Sequence, residues 1–183
     1  MSSIRIIGGK HRSRKIEVPE LEGLRPTPNR VRETLFNWLT HDIVGKTCLD
    51  AFAGTGALGF EALSRGAASI TFVDKQPIVI NHLKNIATIL KETSCYFLLG
   101  HIEKLDSLKI DFDIVFLDPP FYKNLIIEAC HFLVQKNLLR QNALIYIERE
   151  STLKNIELPS SFTLLKEKIA GDVHYSLWRF LKN

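Results

Sequence analysis

Downstream of residue 46, short apolar runs alternate with longer stretches of helical spacing. The runs 48–52, 69–73, 96–99, 113–117 and 143–147 read as strands. Between them, 57–65, 78–90, 102–108 and 125–136 repeat apolar residues every three or four positions, as helices that bury one face do. Gly66 supplies a stop for the first of these. The runs 113–117 and 143–147 do not alternate, so both faces of those strands are expected to be buried. The tail has a different rhythm: 162–169 and 174–180 flank Gly171-Asp172 and read as a β-hairpin. Five βα units followed by a hairpin predict an α/β fold. Its sheet is doubly wound, mainly parallel and seven-stranded, with an antiparallel C-terminal edge.

The first residues follow another pattern. The β-rich runs 4–7 and 15–18 are bridged by Gly8-Gly9-Lys10-His11-Arg12-Ser13, which predicts a small hairpin with a basic loop. Residues 19–28 form a connector in which Thr27 can cap a helix with Pro28 at its first position. That helix places Val31, Leu35, Trp38 and Leu39 on one face and leaves Arg30 and Glu33 off it. The expected division is an N-terminal extension, 1–26, and a main domain, 27–183.

Charge sharpens this division. Residues 1–32 hold eight basic side chains and three acidic ones, although the whole chain of 183 residues carries only +4. The body is therefore nearly neutral and the positive field belongs to the N-terminus, which suits a polyanion-binding arm as well as a merely solvated hairpin. Lys10, Arg12, Arg14, Lys15, Arg25, Arg30 and Arg32 are the candidate contacts to such a polyanion. No apolar run is long enough to span a bilayer, and the polar start lacks the apolar core of a signal peptide, so a cytoplasmic location away from membranes is expected. Cys48, Cys95 and Cys130 are widely spaced among apolar neighbours and read as core filler under reducing conditions. The six histidines are scattered, and no metal is expected. Nothing in the chain demands a partner subunit, so a monomer is expected.

Two motifs carry chemistry. After the first strand of the main domain, Gly54, Gly56 and Gly59 fit G-x-G-x-x-G, and Asp74 ends the next strand where a ribose-binding acid belongs. Alone, this fits a nicotinamide dinucleotide as well as any other adenosine-bearing ligand. Asp50, just upstream, would repel a pyrophosphate but suits a cation such as the ammonium or sulfonium of S-adenosylmethionine. The second motif is Asp118-Pro119-Pro120-Phe121. It joins an acceptor-only carboxylate, two stiff residues without N–H and an aromatic face at the end of a buried strand. Acceptors edge-on and a ring face-on suit a planar base with an exocyclic amine. Together the motifs favour methyl transfer to a base amine over hydride transfer.

These residues, with Arg5-Ile6-Ile7-Gly8-Gly9, Leu24-Arg25-Pro26-Thr27, the run from Arg30 to Leu39, and Glu61-Ala62-Leu63-Ser64-Arg65 after the glycines, resemble the bacterial RsmD-type 16S rRNA guanine-N2 methyltransferases. The resemblance spans almost the whole chain. It implies a class I, Rossmann-like fold, S-adenosylmethionine as donor with S-adenosylhomocysteine as product, and guanine 966 of the small-subunit rRNA as target. It places Asp50, Phe52, Ala53, Gly54, Thr55 and Gly56 around the methionine end of the donor, Asp74 at the ribose and His101 near the adenine. Asp118 and the Pro119 carbonyl would meet the target amine, with Pro120 stiffening the turn and Phe121 stacked on the base. Asn29 and His101 depart from the family pattern, which commonly has Asp at the first position and Asp or Asn at the second. The partner implied is 16S rRNA, in the small subunit or an assembly intermediate. The competing readings are a DNA adenine amino methyltransferase, a dinucleotide oxidoreductase and a non-catalytic RNA-binding assembly factor.

Overall fold

The structure, a computed structural model, describes residues 2–18, 27–120, 125–153 and 156–182. Two short strands, β1 (Ser2–Arg5) and β2 (Lys15–Val18), pair antiparallel as the N-terminal hairpin. Helix α1 (Asn29–Trp38) leads into β3 (Thr47–Asp50), α2 (Ala57–Ser64), β4 (Ser69–Asp74), α3 (Pro77–Leu90) and β5 (Cys95–Leu99). A 3-10 helix (Ile102–Ser107), β6 (Phe112–Leu117), α4 (Leu125–Gln135), β7 (Leu139–Glu150), β8 (Phe162–Ala170) and β9 (Val173–Phe180) complete the chain.

The main sheet has the order β5-β4-β3-β6-β7-β9-β8. Neighbours from β5 to β7 run parallel, whereas β9 joins β7 and β8 antiparallel. The expected seven-stranded sheet and its antiparallel edge are thus present. The count of βα units needs correction: four such units precede β7, and no helix follows it among the described residues. β9 takes up the free edge of β7 directly, so no crossover helix is required. β7 is also much longer than the five-residue apolar run that signals it. Its C-terminal residues are polar, and pairing to β9 keeps them extended as far as Glu150.

One face of the sheet is covered by α1, α2 and α3. Their Leu35, Phe36, Phe60 and Leu83 share a core with Cys48, Phe72, Phe116 and Tyr146. The other face packs α4 and the 3-10 helix, bringing Leu105, Ile126 and Leu133 against Leu49, Val115, Leu117 and Ile147. Cys48 and Cys130 are buried, Cys95 is half-buried and all three are free thiols, as expected of core filler. Among the described residues, no helix is long and apolar enough to cross a membrane.

The hairpin is docked on this body. Ile6 and Ile16 enter the main core, and Ile4 and Val18 pack on Ala57 at the start of α2. Glu61, on α2 and 0 % exposed, accepts hydrogen bonds from the Ile7 and Gly8 N–H groups at 2.8 and 2.9 Å. One helical turn on, the Ser64 carbonyl accepts from Lys10 N–H and its hydroxyl oxygen from His11 N–H.

Candidate active site

All five parallel strands end on the same side of the sheet, where α/β folds of this winding bind ligands. The β3–α2 turn lies there. Gly56 adopts φ +76°, a left-handed conformation that an L side chain resists, and this starts α2 at the needed angle. Gly59, one turn later, presses against the sheet: a Cβ would lie 2.2 Å from the Phe72 ring. The third glycine of the motif therefore serves close helix–sheet packing.

Asp50 closes this turn from below. It is buried and accepts a hydrogen bond from Gly59 N–H at 3.1 Å. Burial pushes its carboxyl well above the usual range; the Gly59 bond opposes that, and the charges of Asp118 and Asp74 add to it. Asp74 accepts from Gly54 N–H at 3.1 Å and from Gln76 N–H at 2.9 Å, so it braces both adjoining loops.

Above the turn lies a cleft of about 540 Å³. Asp50, Phe52, Ala53, Gly54, Thr55, Asp74 and His101, all candidates from the sequence, line it together. Gly56 does not line it; it shapes the turn from behind. His101 is exposed and stands just before the 3-10 helix. Asp118, Pro119 and Pro120 border the same cleft, so the two motifs meet in one place. Phe121 lies outside the described residues.

Asp118 is half-buried and accepts a hydrogen bond from the Thr27 hydroxyl at 3.0 Å. Burial raises its carboxyl to about 6, against the lowering effect of that bond. Thr27 therefore does not cap α1, for which it is the expected residue: the helix begins at Asn29 without a side-chain cap. Its hydroxyl has gone to the acid instead.

Sequence reasoning also misses Glu148. This buried residue of β7 lines the cleft and brings its carboxylates to four, with Asp50, Asp74 and Asp118. Lys75 is the lone lysine or arginine among the described lining residues. Such a wall favours a cationic ligand and opposes a pyrophosphate. Glu148 sits at the polar end of β7, past the apolar run that marks the strand, so only its pairing brings it to the site.

The basic residues separate into groups. Arg12, Arg14, Lys15 and Arg30 are exposed. Lys10 is exposed too, but its Nζ lies 2.9 Å from Glu92, which His11 also contacts. Arg25 lies outside the described residues. Arg32 corrects the expectation of a surface cation: it is 1 % exposed, and its guanidinium donates to the Arg5 carbonyl and to Asn29 Oδ1. Arg32 also lies 3.8 Å from Glu61. Burial lowers its basicity and Glu61 partly restores it. Arg32 thus joins hairpin, α1 and α2 from inside, and Asn29 has a role in holding it.

Comparison with known proteins agrees with this geometry. Residues 4–179 match the family described as Conserved hypothetical protein 95. The ribosomal RNA small subunit methyltransferase D of Haemophilus influenzae is 48 % identical over 181 residues, covering 96 % of this chain and 93 % of that protein. Its counterpart in Escherichia coli K12 is 45 % identical, covering 96 % and 89 %. A solved structure of a putative methyltransferase, yhhF, from Escherichia coli superposes with a TM-score of 0.91 at 40 % identity, over 98 % of this chain and 99 % of that one. The sheet order, the glycine turn and the matches over nearly the full length converge, and the chain belongs to the ribosomal RNA small subunit methyltransferase D family.

Proposed function

We propose that this chain transfers a methyl group from S-adenosylmethionine to the exocyclic N2 of a guanine in 16S rRNA, guanine 966 by resemblance. The observation that carries this reading is the meeting of Asp50 and Asp118 in one acid-walled cleft above a glycine turn. The names of the relatives support an rRNA substrate.

The residues present fit the donor. The cleft lies within the range of roughly 300–1,000 Å³ common for small ligands, and its acids match a ligand bearing an ammonium and a sulfonium. Asp50 and the 52–56 backbone would hold the methionine end, Asp74 the ribose and His101 the adenine edge. When bound, S-adenosylmethionine supplies a methyl group on an activated sulfonium, so that the N2–C bond forms as the C–S bond breaks and one N2 proton is lost to solvent. Asp118 and the Pro119 carbonyl would accept from the two N–H groups of N2. That orients the nitrogen lone pair and stabilises the positive charge developing there. Pro120 keeps the turn stiff, and Phe121 would stack on a guanine taken out of its stack. Proximity and alignment provide much of the remaining acceleration, up to about 7–11 kcal/mol in favourable cases.

The substrate would be 16S rRNA in the small subunit or an assembly intermediate, held by the extension 1–26 and steered onto the main domain 27–183. The exposed Arg12, Arg14, Lys15 and Arg30 would neutralise phosphates, and Lys10 and Arg25 are further candidates for the same task. Reversing the charge of Arg12 and Arg14 together should weaken RNA binding and flatten its salt dependence by about 0.7–0.9 per lost phosphate contact. Affinity for S-adenosylmethionine should not change. Filter binding across a salt series checks the first point and calorimetry the second.

A pH profile tests the acceptor role of Asp118. Its carboxylate is needed ionised, so kcat/KM should rise through pH 6 and level off above it. Thr27→Val removes the donor that favours the charged form, so the acid limb should move to higher pH. An unmoved limb would separate Thr27 from the chemistry.

The deciding experiment incubates small-subunit rRNA and assembled subunits with enzyme and labelled S-adenosylmethionine and maps the methylated atom. Label at a guanine N2 is the expected outcome; label at another atom, or none in either substrate, overturns the reading.

A further inference from the structure

Three strands bring their acids to one face of the sheet. Asp50 pairs with Phe116, Phe116 with Tyr146 and Leu117 with Ile147, where the β6–β7 pairing ends; one residue further on, Asp118 and Glu148 both line the cleft. Residues two apart on a strand share a face. Tyr146 and Glu148 therefore stand on the same side as Phe116 and Asp118, and the rings of Phe116 and Tyr146 meet edge to face at 6.5 Å. The Tyr146 hydroxyl donates to Glu148 Oε2 at 2.9 Å. Glu148 is 3 % exposed, and what little it shows lies in the wall of the cleft that holds Asp118.

We propose that Glu148 is a specificity-determining residue that accepts the N1–H of the target guanine and so excludes purines whose N1 is a lone pair. This rests on the reading of the cleft as a guanine-N2 methyltransferase site. The Watson–Crick edge of guanine presents two adjacent donors, N1–H and N2–H. Two neighbouring strands lie about 4.8 Å apart, so carboxylates side by side on them offer two adjacent acceptors. A carboxylate has room for about four donors, and Tyr146 is one partner of Glu148. Adenine and 2-aminopurine turn an N1 lone pair towards the same place, where it meets the carboxylate oxygen lone pairs and is repelled by them instead of being bonded. A site built to bond a substrate N–H rejects the analogue lacking it far more strongly than an apolar pocket does. Asp118 alone cannot supply this choice, because an amine is common to guanine, adenine and 2-aminopurine. The Tyr146 bond keeps the second acceptor aimed.

The test uses small subunits reconstituted from ligated rRNA that carries guanine or 2-aminopurine at the methylated position. Single-turnover rates are measured for the wild type, Glu148→Gln and Tyr146→Phe. The wild type should favour guanine by about 10⁴-fold. Glu148→Gln, whose amide can donate to a bare N1, should bring the two rates within about tenfold, and Tyr146→Phe should narrow the gap in the same direction. Intrinsic differences in amine reactivity cancel when ratios are compared between variants. A merely structural role would lower both rates and leave their ratio alone, so an unchanged ratio in the variants overturns the proposal. So does a wild type that methylates both bases equally. Absence of label at any guanine N2 with the wild type is a different failure, that of the functional reading itself.

Discussion

Asp118→Ala should lower methyl transfer to small-subunit rRNA by roughly 10²–10³-fold while leaving the affinity for S-adenosylhomocysteine within a factor of about three. The size follows from removing a preorganised acceptor from the place where positive charge develops on nitrogen. Spared ligand affinity follows from the division of the cleft: Asp118 stands at the mouth of β6, whereas the glycine turn, Asp50 and Asp74 line the other part. Stability should move the opposite way. Burial holds the folded carboxyl above its unfolded value, so the native state binds this proton more tightly. Its favourable contribution is complete below about pH 4 and is lost as pH rises through 6; at neutral pH the ionised Asp118 opposes folding. Alanine removes that opposition, and the melting temperature should hold or rise. Single-turnover labelling and thermal melting with S-adenosylhomocysteine read both quantities. Undiminished labelling would leave the acid without a part in the chemistry.

Glu61→Ala should cost about 3–5 kcal/mol of stability, which for a chain of this size is a fall on the order of 10 °C in melting temperature. The carboxylate is 0 % exposed and has several partners: the N–H groups of Ile7 and Gly8, and Arg65 Nε at 2.7 Å. Arg32, itself buried, lies 3.8 Å away. Truncation leaves two backbone donors and Arg65 Nε without their acceptor and the buried Arg32 without its counter-charge, and that surviving buried cation accounts for much of the loss. Glu61→Gln keeps an acceptor without the charge and should fall between alanine and wild type. Because the residue joins the hairpin to α2, limited proteolysis should cut the alanine variant within the N-terminal 18 residues before the body. A fall of less than ~2 °C would show that the hairpin is held by its apolar contacts alone.

The fold was largely legible because its strands are buried on both faces and its helices on one. Periodicity reports such burial directly, which is why β4, β6 and α3 lie within one residue of their expected bounds. β7 shows where that signal stops. Its last residues, Glu148, Arg149 and Glu150, are buried yet charged, and no hydropathy pattern marks them as strand. The glycine turn and the Asp118 motif were readable for another reason: each is a local chemical device, complete within a few consecutive residues. Arg32 was not, because one arginine in a basic segment looks like another until a buried acid 29 positions away is brought beside it.

Sequence by itself determined the order of strands and helices, the glycine turn, the motif at the end of β6 and the concentration of positive charge near the N-terminus. These depend on neighbours along the chain. Tertiary structure alone decided which cations face solvent, that Thr27 reaches across 91 positions to Asp118, and that Glu148 lines the same cleft as that acid. Each of these depends on pairings between distant segments. Strand register and burial set those pairings, and neither is written in the residues around any one of them.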